Sequence, residues 1–175
     1  MPTEPQWLDA REDSAWRAFM HAHHQLNVCL NRLLLQDSGL SEADYEVLAV
    51  LSGLPEGRLP AQEMGALLRW EKSRLSHQVR RMQEQGLVAR ELNPADRRSA
   101  MIVLLPAGRQ AVEDAAPQHV RNVRRLMIDL FTPAELDTLA GLNERILRHL
   151  AEVPCREEAA AVAPRTGAED SGPGH

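Results

Sequence analysis

The amino-acid sequence predicts a mainly helical α+β fold in which a winged helix-turn-helix domain is joined to a helical dimerisation domain. Apolar residues recur at helical spacing over most of the chain, and two short β-rich runs, 87–92 and 100–105, flank a polar loop. The resulting order is four helices, a β-hairpin and two further helices. A third and a fourth helix that are joined by a short turn and followed by a hairpin make a winged helix-turn-helix.

The composition excludes several classes of protein. Hydrophobic residues make up 43% of the 175 residues, which is enough for a folded core, and no apolar run approaches the roughly 18 residues of a membrane span. Two cysteines are too few for a disulfide framework, and the acidic N-terminus lacks the apolar segment of a signal peptide. We therefore expect a cytoplasmic protein with no membrane partner and no cofactor.

The helices before the hairpin have recognisable starts and ends. Residues 13–36 carry the apolar spacing of a long amphipathic helix. The segment Ser41–Asp44 has the form of a capping box and opens a second helix, which ends near Gly53. Pro60 suits the first position of a third helix, and a fourth helix is predicted from 71 to 85.

The helices after the hairpin complete the predicted architecture. A fifth helix is expected from 107 to 130 with a bend at Pro117, because proline removes one backbone donor. Thr132, Pro133 and Glu135 together form a helix cap that opens the sixth helix. The predicted division is a helical dimerisation region at 13–36 and 106–152, a winged helix-turn-helix domain at 40–105, and disordered tails at 1–12 and 154–175.

Charge is distributed unevenly along the chain. The whole chain has a net charge of −5, yet residues 58–98 hold nine Lys and Arg against five Asp and Glu, a net charge of +4. Phosphate binding depends on a local basic patch more than on total charge. A solvated Arg-rich surface is the alternative, but the basic segment coincides with the predicted winged helix.

The fourth helix has the character of a DNA-reading helix. If Leu75, Val79 and Met82 face inward, an outer face of polar and charged side chains remains. It comprises Ser73, His77, Arg80, Arg81 and Glu84, with Arg74 and Ser76 on its flanks. Arginine, serine and histidine can contact base edges in the major groove, and the first residues of such a helix usually do so. We therefore assign Ser73, Arg74 and His77 to bases, and Arg80 and Arg81 mainly to phosphates of double-stranded DNA.

Four short segments resemble the MarR (multiple antibiotic resistance regulator) family of bacterial transcription factors. They are Leu40-Ser-Glu-Ala-Asp-Tyr-Glu-Val-Leu48, Lys72-Ser-Arg-Leu-Ser-His77, Gln85-Gly-Leu-Val-Ala-Arg90 and Asp96-Arg-Arg98. The string Trp-Glu-Lys-Ser-Arg-Leu-Ser-His resembles an actinobacterial subgroup. One departure is Pro106, where the family usually has threonine ahead of the fifth helix.

The resemblance implies a sequence-specific, ligand-responsive repressor that binds a pseudo-palindromic operator as a homodimer. The first, fifth and sixth helices would interlock, Asp96 would orient the wing, and Arg98 would enter the minor groove beside Arg97. A pocket for a small aromatic or phenolic effector is also implied. The residues we assign to it are Trp16, Met20, His24, Tyr45 and Trp70, each of which could equally belong to the core.

The sixth helix independently favours a dimer. Its apolar stripe of Leu136, Leu139, Ile146 and Leu150 exceeds what a small winged helix can cover, and exposed apolar patches mark interfaces. The alternative is that this helix folds back on its own domain.

Two further features suggest other functions. His21, His23 and His24 could contribute to a metal site, since zinc favours imidazole, but no acid or cysteine within one turn completes a ligand set. Cys29 could sense oxidants, although its neighbours Val28 and Leu30 favour a buried, inert thiol. The alternative function is thus a helical scaffold or metal-sensing protein. No enzyme motif is present, so we expect no catalytic residues.

Overall fold

The computed structural model describes residues 6–93 and 100–153. The chain divides into two compact units, the first ending at Leu130 and the second beginning at Phe131. The fold class that the sequence predicts, a mainly helical protein with a small β wing, is confirmed. Within the described ranges, no helix is long and apolar enough to cross a membrane.

The first unit contains five α-helices, a three-stranded sheet and a terminal turn of 3₁₀ helix. Its elements in order are α1 (Ala10–Ser38), α2 (Glu42–Ser52), β1 (Arg58–Pro60), α3 (Ala61–Leu68), α4 (Lys72–Glu84), β2 (Val88–Leu92), β3 (Ala100–Leu104), α5 (Pro106–Leu126) and the 3₁₀ turn Ile128–Leu130. The second unit contains α6 (Pro133–Glu152).

Helix α1 begins earlier than the apolar spacing predicts. The Asp9 carboxylate accepts hydrogen bonds from the backbone N–H groups of Arg11 and Glu12, and the Glu12 carboxylate accepts one from the backbone N–H of Asp9. This capping box stabilises the first turn although its residues are polar and exposed. The expectation that residues 1–12 form a disordered tail is therefore wrong for 10–12, which belong to α1.

The sheet has a strand that the sequence analysis missed. Its order is β1-β3-β2 with antiparallel pairing, and β1 places Leu59 opposite Ile102. Pro60 ends this strand and caps α3, so its expected place as the first helical residue is off by one. Proline lacks a backbone donor and is tolerated at the end of an edge strand.

The core of the first unit lies in the winged helix. Leu48 and Leu51 of α2, Met64 of α3, Val79 and Met82 of α4, and Ile102 of β3 are all fully buried. The side chains predicted to face inward from the fourth helix therefore do so. Together they hold α4 against the rest of the domain, with its other side left to the solvent.

Helix α5 packs tightly on the base of the wing. A Cβ at Gly108 would overlap the carbonyl oxygen of Leu87, so only glycine permits this approach. Pro106 stands at the first helical position and Leu105 caps the helix without a side-chain hydrogen bond, which is the local consequence of the missing threonine. The helix continues through Pro117 to Leu126, shorter than predicted, and a separate 3₁₀ turn follows.

The far end of α5 is linked to the end of α1. The buried Asn122 donates a hydrogen bond from Nδ2 to the Asp37 carboxylate, with a distance of 3.0 Å between Nδ2 and Oδ2. This polar contact holds the two long helices of the first unit in one relative position.

The second unit begins with the predicted cap. The Thr132 side chain accepts from the backbone N–H of Glu135, the Glu135 carboxylate accepts from the backbone N–H of Thr132, and Pro133 is the first helical residue. No side chain of α6 is buried. The helix thus has a well-defined start, and the apolar side chains of its stripe are half-buried or exposed.

Candidate nucleic-acid interface

The turn between α3 and α4 sets the start of the candidate reading helix. Arg69 ends α3 in the left-handed conformation, with a φ of 52°, and the backbone N–H of Trp70 donates to the carbonyl oxygen of Gly65 at 2.9 Å. Such bonds satisfy carbonyl groups that a helix end leaves free. The turn therefore redirects the chain within three residues and lets α4 begin at Lys72.

Helix α4 presents a polar face opposite its buried stripe. Leu75, Val79 and Met82 are buried, whereas Ser73, His77 and Arg80 are exposed on the opposite side. Arg81 and Glu84 are also exposed, and Ser76 is half-buried. A rigid helix with exposed hydrogen-bond donors has the form that enters a major groove.

Arg74 lies on the flank of this face, where it contacts Trp70. Its guanidinium lies 4.3 Å from the centre of the Trp70 ring, and Trp70 itself is only 8% exposed. A cation above an indole ring is attracted by the negative face of the ring. Trp70 is therefore a packing residue that holds Arg74, and this contact could not be deduced from helical spacing.

A cleft of about 790 Å³ borders one side of α4. It is formed by α3, the start of α4 and the wing strands, and its basic side chains are Arg69, Lys72 and Arg90. None of these three was assigned to the interface by the sequence analysis, although all belong to the basic segment. Their position next to Ser76 adds positive charge beside the exposed face of α4.

A second cleft of about 510 Å³ borders the other side of α4. Helix α1 contributes Asn27 and Asn31, and the start of α2 contributes Ser41, Glu42 and Glu46. From the turn and α4 come Leu68, Arg69, Trp70, Arg74, Gln78 and Arg81. Since Arg74, Gln78 and Arg81 are spaced i, i+4, i+7, they share one side of α4. The cleft is therefore polar, with charges of both signs.

Glu46 has a perturbed carboxyl group in this cleft. Burial raises the pKa of Glu46 above its ordinary value, the neighbouring Glu42 adds to the rise, and Arg74 opposes it. A carboxyl group in this setting gains a proton more readily than one in water. The charge next to Arg74 thus depends on pH.

The sequence comparisons point to a regulator of transcription. The MarR family model matches residues 38–99, which include α2, α3, α4 and β2. The transcriptional regulator PecS of Dickeya dadantii (strain 3937) is 30% identical over 113 residues, which span 63% of this chain and 67% of PecS. The chain belongs to the MarR family.

Solved structures of MarR-family regulators from Streptomyces coelicolor match the fold as well. AbsC is 36% identical, with a TM-score of 0.81 over 85% of this chain and 100% of that one. Sco3205, whose structure is in complex with DNA, is 35% identical, with a TM-score of 0.78 over 85% and 91% of the two chains. The protein is thus a DNA-binding MarR-family transcription regulator and not an enzyme.

The five residues predicted to form an effector pocket of this MarR-family protein do not line one cleft together. Trp16, Met20 and His24 are exposed on α1, and the Tyr45 ring packs against His119 of α5 with 4.5 Å between ring centres. Of the five, only Trp70 lines either of the two clefts described above.

The histidines of α1 are separate surface side chains. His21, His23 and His24 are all exposed, and the Nε2 atom of His23 lies 3.1 Å from the Asn27 amide nitrogen. Across residues 6–93 and 100–153, no three His, Cys, Asp or Glu side chains are grouped so as to hold a metal ion. The histidine cluster therefore gives the alternative metal-sensing function no support from geometry.

Cys29 differs from its predicted environment. The expectation of a buried thiol is wrong, since Cys29 is exposed. Helix α1 turns Leu26, Leu30 and Leu34 toward its neighbours, and Val28 and Cys29 lie outside that stripe. Adjacent apolar residues on a helix point in different directions, so proximity in sequence does not imply shared burial.

The remaining predicted site residues lie in the wing loop and in α6. Asp96, Arg97 and Arg98 fall outside the described residues, so their roles stay predictions. Leu136 and Leu139 are half-buried, whereas Ile146 and Leu150 are exposed. The last two side chains are therefore available for contact with another surface.

One buried polar residue of α4 escaped the sequence analysis. Gln78 is only 6% exposed, and its amide donates to the carboxylate of Asp44, which is 3% exposed. The helical spacing contained a signal, because position 78 lies on the same side of the helix as Leu75 and Met82. A polar residue in an inward position requires a partner, and the sequence alone does not identify it.

Proposed function

We propose that this MarR-family protein is a homodimeric repressor, acting in the cytoplasm, that binds a pseudo-palindromic operator and releases it when a small molecule binds. The observation that carries the DNA-reading part is the division of α4 into a fully buried apolar stripe and an exposed face of donors. The structure of Sco3205 in complex with DNA supports DNA binding by this chain.

The proposed base contacts come from the start of α4. Ser73 and His77 point to solvent and could reach base edges in the major groove, with Arg80 and Arg81 on phosphates. Arg74 is assigned to a base on the condition that it leaves the Trp70 ring. Asp96, Arg97 and Arg98 are proposed to form the wing contact, with Arg98 in the minor groove.

The proposed dimer interface uses exposed apolar side chains of two helices. On α1, Trp16, Phe19 and Met20 are 40–55% exposed, and on α6, Leu142, Ile146, Leu147 and Leu150 are 44–56% exposed. Exposed apolar surface of this kind on each helix mostly marks an interface, and two identical chains can bury it through a twofold axis.

The second cleft is the proposed effector site. Arg74 and Arg81 could bind a carboxylate, and the amides of Asn27 and Asn31 could bind a hydroxyl group. A small aromatic or phenolic acid would fit this chemistry. Such a ligand would compete with DNA for Arg74 and Arg81, and operator release would follow.

A footprint upstream of the protein's own gene tests the operator model. Two half-sites are expected on one face of the DNA, about one helical turn or 10 base pairs apart, because a twofold dimer presents two copies of α4. Affinity for this operator should fall steeply as salt rises, since bound phosphates release counterions. A single half-site, or half-sites on opposite faces, would contradict the proposal.

A titration with hydroxylated benzoic acids tests the effector site. Binding should weaken operator affinity of the native protein. In Asn31→Leu, the fold-change in operator affinity that the ligand causes, measured against the variant's own ligand-free affinity, should be smaller, because the lost amide lines the cleft. Gln36→Leu, an exposed change elsewhere on α1, is the matched control. An unchanged response in Asn31→Leu would place the effector elsewhere.

A further inference from the structure

The buried contact between Gln78 and Asp44 links the candidate reading helix to the start of α2. Gln78 lies in the middle of α4, among the apolar side chains that face the core, and its Nε2 donates to Oδ1 of Asp44. Neither residue belongs to the predicted DNA contacts. A buried amide and a buried carboxylate are costly to leave without partners, so this pair strongly favours one arrangement of the two helices.

The other carboxylate oxygen of Asp44 is held by the capping box of α2. The backbone N–H of Ser41 donates to Oδ2 at 2.9 Å, and the Ser41 hydroxyl donates to the same atom. Asp44 therefore has one oxygen committed to the helix cap and one to α4. Rotation of the Asp44 carboxylate would break the helix cap. The position of Oδ1, which accepts the hydrogen bond from Gln78, is therefore fixed.

The cap is in turn fixed to α1. The backbone N–H of Glu42, the first residue of α2, donates to Oδ1 of Asn31 at 3.0 Å. The contacts thus form a series that runs from Asn31 through Glu42, Ser41 and Asp44 to Gln78. Asn31, Ser41, Glu42 and Gln78 also line the second cleft.

We propose that Gln78 and Asp44 are positioning residues for DNA recognition, which fix the rotation of α4 about its axis and thereby aim its exposed face. The apolar stripe alone holds the helix by burial, and burial has no direction. A hydrogen bond between two buried side chains depends on both distance and angle. Ser73, His77 and Arg80 lie on one face of the same helix. A small rotation of α4 about its axis therefore displaces all three side chains together. The inference rests on the proposed role of α4 in reading DNA.

A second negative charge introduced into the pair provides the test. Gln78→Glu places two carboxylates face to face, and the repulsion should turn α4. Operator affinity should fall by about tenfold or more, with a smaller change on scrambled DNA, because misaimed side chains lose base contacts before phosphate contacts. Gln83→Glu adds the same charge at an exposed position of α4 and is the matched control. Circular dichroism and melting temperatures confirm that each variant is folded at the assay temperature.

The double variant D44N/Q78E should restore the contact with donor and acceptor exchanged. The new amide at position 44 can accept from the cap through its oxygen and donate to the new carboxylate through its nitrogen. Recovery of operator affinity to about that of Gln83→Glu identifies the pair as the cause, by the logic of a double-mutant cycle. A loss of stability alone would appear in the melting temperatures and would leave operator affinity unchanged at a temperature where each variant is folded.

Three outcomes are distinguishable. If Gln78→Glu behaves like Gln83→Glu, or if D44N/Q78E fails to recover, the positioning role is wrong. Arg80→Ala in the same assay separates this failure from that of the proposed function, since Arg80 lies on the exposed face and does not line the second cleft. If Arg80→Ala also leaves binding unchanged, α4 does not contact DNA, and both the proposed function and this inference fall.

Discussion

Arg74 has two possible environments, and its position in the sequence indicates only one of them. Near the start of α4, it has the reach and charge to meet a guanine edge, as the sequence analysis assigns it. In the free protein it instead lies over the Trp70 ring and lines the second cleft with Glu46. Base contact therefore requires the cation–π contact to be exchanged for hydrogen bonds to DNA.

Replacing Arg74 tests whether that exchange takes place. Arg74→Ala should weaken operator binding by about 1–3 kcal/mol and relax preference at one base position. Binding to scrambled DNA should change less, because a lost base contact affects specific binding most. Titrations on both DNAs provide the measurement. An equal loss on the two would show that Arg74 contacts phosphate, and no loss on either would leave it as a cleft residue.

Glu46 should make stability depend on pH in a predictable direction. Its pKa is higher in the folded chain than in the unfolded one, chiefly through burial. The corresponding stabilisation is complete below the ordinary pKa near 4.5 and is lost as pH rises through the folded value. Glu46→Gln removes this loss. Its melting temperature relative to the native protein should therefore rise as the pH increases from below 4.5 through the raised pKa of Glu46.

Glu135 provides a control of opposite sign. Hydrogen bonds from Thr132 lower its pKa, so its contribution is present above the ordinary value and disappears as pH falls. Glu135→Gln should reduce the stability of α6 most at neutral pH and least in acid. The helical circular dichroism signal, measured over a pH series, checks this. If the stability difference between each variant and the native protein were independent of pH, neither carboxyl group would have a shifted pKa.

The elements were predictable where the signal is local. The caps at Ser41 and Thr132 contain their own partners within four residues, so the sequence specifies both helix starts. Strand β1 has only three residues and no period to detect, and it exists because β3 lies beside it. The Gln78–Asp44 contact joins positions 34 residues apart and depends on the fold. Local chemistry thus determines where these two helices begin, whereas strand β1 and the Gln78–Asp44 contact depend on tertiary packing.

Two helical glycines should respond oppositely to the same substitution. At Gly108 a Cβ would meet the backbone of Leu87, so Gly108→Ala must displace α5 from the wing and cost about 1–3 kcal/mol. At Gly141 of α6 nothing lies within 4 Å, so Gly141→Ala should stabilise its helix by up to about 1 kcal/mol. Denaturant unfolding compares them. A neutral Gly108→Ala would mean that the contact relaxes without cost.

At the scale of the whole molecule, exposed apolar surface points to a partner. Trp16 and Phe19 on α1 and Leu147 and Leu150 on α6 are each at least 44% exposed, although large apolar side chains are usually buried. In the proposed dimer, the apolar surface of α1 and that of α6 would each be buried against a second copy of this chain. The charge pattern has a related consequence, since an acidic remainder leaves the basic winged helix as the region that attracts DNA.

Charge introduced into α6 should dissociate the proposed dimer. Ile146→Glu places a carboxylate on the exposed apolar stripe, and a buried unpaired charge opposes association. Arg145→Glu makes a comparable change at the adjacent exposed polar position and should leave the dimer intact. Sedimentation at micromolar concentration distinguishes the two states. A native protein that sediments as a monomer would overturn the dimer, whatever the variants do.

The pairing of β1 with β3 has a consequence for how the winged helix folds. Positions 58 and 103 are neighbours in the sheet, and α3 and α4 lie between them in the chain. The central strand therefore closes a long loop, and the entropy of that closure must be overcome before the sheet is stable. Such a sheet cannot assemble ahead of the helices it encloses. The β2–β3 hairpin is thus not an independent folding unit. The wing strands and α4 should fold and unfold in one cooperative step.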